Sequence, residues 1–476
     1  MAVFPVALVV LAPSLETGWV GDDAMNSTLP GYWRVLEVDP ATETLAQIRA
    51  WWDVGRFNPL MHVWKNAWFW CVRDLALHKS LILALVGLDL WLLYRLSRAL
   101  GLGREAAALG ALLAGLLIQF REYHDPVLAF NGMMQFVAAL VLGSLLCLCR
   151  YRQTGRARWL VASLALHLAG CLTYECCLAL CVAHAAWLPW RRAVPFVAAA
   201  LLVLAVNLTV RATGDTPADS PYRMVLRGSL VWKTFTRQCV AALPLSYGAF
   251  DPYRCFAGGF AREAVRHLWI GLLVFPVACW LALRLVSRHA PIPLALLGTG
   301  FFLLPAAPIA VCHRYQWELA AGLGHLPVYL QLLGVAILLL AGLLEANRRL
   351  PERGPARLAL AAIAGLACGA IAVGHRASNE VVVAALRPNY QLRSQLEEQL
   401  HAGLLDPVPS GSVLVTEGRP WEAGLHGPAF YLMHTGKRLD VRCRVEAGGA
   451  ASSWRLAWRG DRWRLDFRGE SGGDPR

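Results

Sequence analysis

Apolar runs long enough to cross a bilayer recur along the first 374 residues, separated by short basic loops. Residues 326–344 (LPVYLQLLGVAILLLAGLL) and 193–210 (AVPFVAAALLVLAVNLTV) carry no charged side chain over 19 and 18 positions. That is the length a transmembrane helix needs. Similar runs cover about 78–96, 104–120, 127–148, 158–173, 176–189, 267–285, 291–311 and 357–374. The N-terminal AVFPVALVVLA adds a shorter one. The pattern predicts an α-helical polytopic membrane protein with about eleven transmembrane helices. The first run has no Lys or Arg before it and no clear small-residue cleavage site. It reads as a short signal-anchor helix rather than a signal peptide.

After residue 374 the rhythm changes. Residues 377–404 predict one helix. Beyond Pro407, residues 412–415, 429–433, 439–445 and 454–459 predict strands. Trp463, Leu465 and Phe467 repeat the alternation across Gly460-Asp461, a hairpin signal. The expected organisation is a transmembrane module over 1–374, with external loops at about 13–77 and 211–266. A small external soluble α/β domain over 375–476 follows. The Trp-rich stretch 61–77, with Lys65 and Arg73, predicts a helix lying at the membrane interface.

Composition agrees with the pattern. Hydrophobic residues make up 57% of the 476 and charged residues only 16%, against about 25% charged in soluble domains. This excludes a cytosolic enzyme, a disordered chain and a disulfide scaffold. The net charge of +13 raises nucleic-acid binding as an option, but the positions of the arginines remove it. With the N-terminus in the cytoplasm, the five inner loops hold fifteen arginines, whereas the three short outer connections hold Arg121 and Arg314 alone. By the positive-inside rule this sets a multi-pass cytoplasmic-membrane protein with its N-terminus inside and its C-terminal domain outside. Most of the thirteen cysteines fall in apolar spans, where Cys acts as a small hydrophobe. Cys239 and Cys255 share a loop and are candidates for a pair. No spacing matches a zinc site, a Walker loop or a nucleophile elbow. The Gly-Leu-Gly at 322–324 is too short to signal phosphate binding, and Asn26-Ser27-Thr28 fits a glycosylation sequon.

Charged groups beside membrane spans are costly and often functional. Four clusters share the outer face in this topology: Asp22-Asp23, Arg121-Glu122-Tyr123-His124-Asp125, Tyr174-Glu175 and His313-Arg314-Tyr315. Glu175 is the most informative. Residues 159–189 must rise and return, so each leg reaches only about 23 Å at 1.5 Å per residue, less than the roughly 30 Å hydrocarbon layer. Glu175 is therefore expected in a recess, where a carboxylate needs a partner or water. Asp89, His167 and His184 lie inside spans and read as interhelical hydrogen bonders. The guanidinium of Arg314 suits a phosphate.

This arrangement resembles the GT-C superfamily of membrane glycosyltransferases. It is similar to protein O-mannosyltransferases, lipid A aminoarabinose transferases and bacterial mannosyltransferase-like membrane proteins. The likeness rests on the early acidic pair, the acids after the third span, the Tyr-Glu between the fifth and sixth, and the external tail. It implies an inverting transferase moving a sugar from a polyprenyl-phosphate-linked donor to a glycan, lipid or protein acceptor at the outer face of a bacterial inner membrane. It implies Asp22 or Asp23 as the base, with Glu122, Asp125 and Glu175 as supporting acids. Arg314, with His313, would hold the donor phosphate. Some members bind a divalent metal; the sequence here does not require one. Competing readings are a transporter or lipid flippase using Asp89, His167 and His184, an O-antigen ligase or polymerase leaning on the basic 211–266 loop, and a non-catalytic scaffold.

Overall fold

The computed structural model describes residues 3–122, 124–213, 223–250, 259–285, 292–351, 354–416, 426–443, 453–459 and 462–468. They form two compact units. The first comprises 1–16, 48–62 and 78–385; the second comprises 17–47, 63–77 and 386–476. Segments of the first long loop thus group with the tail, and the boundary falls after Ala385 rather than after residue 374.

The first unit is helical. Its main helices are α1 (Leu75–Ala99), α2 (Arg104–Leu116), α3 (Met133–Thr154), α4 (Ala157–Thr173), α5 (Trp190–Thr213), α6 (Gly228–Val240), α7 (Leu268–Leu283), α8 (Ile292–Leu303), α9 (Ala306–Ala310), α10 (His313–Glu318), α11 (Val328–Arg349) and α12 (Pro355–His401). Six spans among the described residues are long and apolar enough to cross a membrane: α1, α3, α5, α8 with α9, α11, and α12 up to Pro388. A seventh results if Phe260–Arg266 and α7, bent by 58°, count as one. The remaining predicted runs form shorter helices. The N-terminal run gives only Val3–Val9, and 176–189 breaks into a 3₁₀ turn and the short helix Cys181–Ala185. Pro305 separates α8 from α9, because proline cannot donate to the helical ladder.

The intramembrane polar groups tie helices together. Tyr329 of α11 donates to Asp89 of α1 at 2.9 Å. The Nε2 of His184 meets Ser144 Oγ of α3 at 2.8 Å, and its Nδ1 meets Leu180 O at 3.1 Å. These bonds satisfy groups that would otherwise be stranded in hydrocarbon.

The second unit carries a four-stranded sheet of β1 (Val413–Thr416), β2 (Asp440–Cys443), β3 (Ser453–Arg459) and β4 (Arg462–Arg468), in the order β2-β1-β3-β4. β1 runs parallel to β2 and β3, and β4 is antiparallel to β3. Trp454, Leu456 and Trp458 pair with Phe467, Leu465 and Trp463, as their alternation predicts. The turn residues Gly460 and Asp461 lie outside the described residues. The predicted strand at 429–433 is instead part of a helix, His426–Thr435. Its apolar run does not alternate, and Pro428 is accommodated in the first helical turn, where its missing N–H has no acceptor. This helix packs on Leu29–Leu36. Gly31 allows the approach, since a Cβ there would lie 2.2 Å from Ala429 O.

Candidate functional site

Two cavities open in the first unit, and Tyr315 of α10 lines both. The first has a volume of about 350 Å³. Val197, Leu201, Leu204 and Leu208 of α5 and Ile309 of α9 give it apolar walls. Arg56, Glu175 and Arg211 supply its charges.

Local structure explains that charged group. α4 ends at Tyr174, whose extended backbone (φ −154°) turns the chain into the 3₁₀ turn Glu175–Cys177. Glu175 Oε1 then lies 3.5 Å from Arg56 Nη2 and 4.0 Å from Arg211 Nη2. Arg211 belongs to the last turn of α5 and donates from Nε to Gly55 O at 3.2 Å. Arg56 packs over the Trp51 ring, 4.4 Å from its centroid. The recess expected for Glu175 is therefore present, and its partners are two arginines from distant segments. A carboxylate so flanked stays ionised.

The second cavity, about 510 Å³, is the more polar of the two and is lined by Glu122, His124, Arg314, Glu318 and His325 among others. Arg314 Nε donates to both carboxylate oxygens of Glu318, at 3.0 and 2.9 Å. Glu318 Oε2 lies 3.7 Å from His124 Nε2. His124 has a left-handed backbone (φ 50°), uncommon for a residue with a side chain and a mark of functional loops. Burial and then Arg314 push the His124 imidazole below its ordinary value. Burial, followed by His124, Arg314 and Arg56, pushes His325 well below it. Both rings are neutral near pH 7.

The loop after α2 divides its labour. Asp125 is buried, and its carboxylate accepts three backbone N–H groups: Arg121 at 2.7 Å, Val127 at 2.8 Å and Leu128 at 2.7 Å. Arg121 is also buried and donates to Gln119 O and Ala241 O. These two hold the loop, while Glu122 and His124 line the polar cavity. Asp125, expected as a supporting acid, lines neither cavity, and its carboxylate is engaged by the loop backbone. An acid in a sequence looks the same whether it caps backbone or faces a cleft.

His313 lines neither cavity. Its Nε2 meets Arg223 at 3.3 Å and its Nδ1 accepts from Trp317 Nε1 at 3.0 Å. Asp22 and Asp23 open the short helix Asp22–Asn26 of the second unit, Asp22 exposed and Asp23 buried. The segment that follows is held by buried Arg393, which donates to Ala24 O and, at 2.8 Å, to Ser27 Oγ. Thr28 Oγ1 donates to Met25 O and meets His426 Nδ1 at 2.8 Å, so the sequon hydroxyl is packed inside. Cys255 lies outside the described residues.

Sequence reasoning missed Arg56, Arg211, Glu318 and His325. The basic residues of long loops gave no hint of which ones return to Glu175. Glu318 had a local signal in its i,i+4 spacing from Arg314. His325 had one in the glycines at 322 and 324. The chain matches no protein-family model and no curated protein.

Proposed function

We propose that the chain is a glycosyltransferase that moves a sugar from a polyprenyl-phosphate-linked donor to an acceptor at the outer face of the cytoplasmic membrane. One observation carries this reading: an apolar cavity holding a pair of arginines shares a wall, Tyr315, with a polar cavity. A lipid-linked sugar has three parts with these chemistries. The prenyl chain suits the α5 groove, the phosphate suits Arg56 and Arg211, and the sugar suits the polar cavity. In the eleven-span reading the inner loops hold fifteen arginines and the three short outer connections hold two, which supports the orientation.

The transfer needs the bond between the anomeric carbon and the phosphate oxygen to break as the acceptor oxygen attacks. Arg56 and Arg211 stabilise the charge that collects on the departing lipid phosphate. Arg314, engaged with Glu318, orients the sugar cavity instead of holding the phosphate. Glu122, an acid lining that cavity, takes the acceptor proton. Among the described residues, no three His, Cys, Asp or Glu side chains gather to hold a metal ion.

The reading is tested with the purified full chain in nanodiscs and polyprenyl phosphate as ligand. Arg56→Ala and Arg211→Ala should each weaken binding at least about tenfold, as charge-assisted hydrogen bonds to phosphate are lost. Arg314→Ala should change it little. Equal binding by all four proteins, or none by the wild type, contradicts the reading.

A further inference from the structure

His325 is buried, with 4% of its surface exposed, yet it lines the polar cavity. No described residue hydrogen-bonds to its Nδ1. Buried polar groups are almost always paired, so an orphan needs an explanation.

The ring is not loosely held. The His325 backbone N–H donates to Gln238 Oε1 at 2.8 Å, and Gln238 Nε2 donates back to His325 O at 3.2 Å. Gln238 of α6 is itself braced by Gln331 of α11 at 2.8 Å. The imidazole centroid lies 4.1 Å from that of Tyr315 and 4.9 Å from that of His124. Two glycines deliver it. Gly322 (φ 78°) and Gly324 (φ 68°) have left-handed backbones. A Cβ would lie 2.6 Å from Ser246 O at Gly322 and 2.8 Å from the Ala241 Cβ at Gly324. The Gly-Leu-Gly of the sequence therefore places a histidine. The orphaned Nδ1 is itself sealed off, so it is the cavity-lining edge of this firmly placed ring that is preorganised for something that enters.

We propose that His325 is kept for hydroxyl groups of the transferred sugar, and that the polar cavity takes a neutral, hydroxyl-rich hexose. The proposal rests on the reading of the chain as a lipid-linked-sugar transferase. A neutral imidazole offers one donor and one acceptor, the complement of a hydroxyl. Arg314 and Glu318 neutralise each other within the same wall, and Glu122 beside them is the acid assigned to the acceptor proton. Tyr315, packed against the ring at a tilt, borders the apolar cavity too, so the contact falls where the sugar meets the lipid phosphate.

The test compares the full chain in nanodiscs with its His325→Phe and His325→Gln variants. The probes are polyprenyl phosphate and its mannosyl, glucosyl and galactosyl forms. In the wild type, at least one glycosylated lipid should bind about tenfold or more tighter than the bare lipid, the effect of one or two hydrogen bonds made to a buried group. Phe keeps the ring packing against Tyr315 and removes the nitrogens. It should abolish that increment, leave bare-lipid affinity unchanged and hold or raise the unfolding midpoint, since an unsatisfied polar group has been removed. Gln should retain part of the increment. A retained increment in His325→Phe, or a lowered midpoint, overturns the proposal and leaves the transferase reading standing. A wild type that binds no glycosylated form better than the bare lipid also overturns it. Failure to bind even bare polyprenyl phosphate defeats the underlying reading, and the proposal with it.

Discussion

Arg314 grips both carboxylate oxygens of Glu318 one helical turn away, at 3.0 and 2.9 Å. The residue that the sequence offered as a phosphate ligand is thereby a partner of an acid, and Glu318 in turn faces His124 at 3.7 Å. The pair is half-exposed, so it adds at most about 1 kcal/mol to stability. Arg314→Ala, Glu318→Gln and the double variant should therefore have near-equal effects on binding of a glycosylated polyprenyl phosphate. A double-mutant cycle checks this: additive losses would mean that Arg314 contacts the ligand on its own.

In the proposed binding mode Glu175 is the competitor of the phosphate for Arg56 and Arg211. Glu175→Gln removes the competitor and should tighten polyprenyl phosphate binding by about 1 kcal/mol, or roughly fivefold, on the scale of a partly screened ion pair. It also removes the acid that faces two guanidinium groups, which should lower stability by about 3 kcal/mol. Affinity and thermal unfolding measured on the same preparation read both effects. Weaker binding would place the phosphate elsewhere.

Asp125 should behave as structure. Asp125→Asn replaces an acceptor oxygen by a donor and leaves at least one of three backbone N–H groups unpaired. The expected cost is about 1–3 kcal/mol, and any loss of transfer should follow the loss of folded protein. Full stability with abolished transfer would return Asp125 to the chemistry.

How far the sequence reaches is visible in these residues. Six of the eleven predicted runs were legible as spans because bilayer thickness fixes length and composition, whereas most of the others fold as shorter helices. The recess at Glu175 was legible from the shortness of its hairpin. Its partners were not, because Arg56 and Arg211 come from segments that only tertiary packing joins. The strand pairs of β3 and β4 were written in period-two alternation, whereas 429–433 is apolar throughout and carries no period to separate strand from helix. Asp125 and Glu122 illustrate the same limit at the site. Three residues apart in one loop, one is spent on backbone N–H groups and the other lines the cavity.

The second unit should soften in acid through His434. Burial drives this imidazole down to about 4, with Glu397 opposing and Arg393 and His401 adding to the shift. It stays neutral in the fold but takes a proton near pH 6.5 when unfolded. The stabilising contribution is complete above pH 6.5 and is lost as pH falls towards 4. It amounts to at most about 3 kcal/mol. Hydrogen exchange across His426–Thr435 and β1–β4 should show protection falling over that window. His434→Phe should flatten the fall; an unchanged pH dependence would assign it to other groups.

The central claim is that a polyprenyl chain lies along α5 and its sugar reaches the cavity beyond Tyr315. The most direct measurement is photo-crosslinking of the full chain in nanodiscs with a polyprenyl-phosphate mannose bearing a photoreactive group in its first prenyl units, mapped by mass spectrometry. The account predicts adducts on residues 197–208 of α5 and around Ile309, suppressed by excess polyprenyl phosphate and by Arg56→Ala. Adducts spread evenly over the lipid-facing helices, or untouched by the competitor, would contradict it.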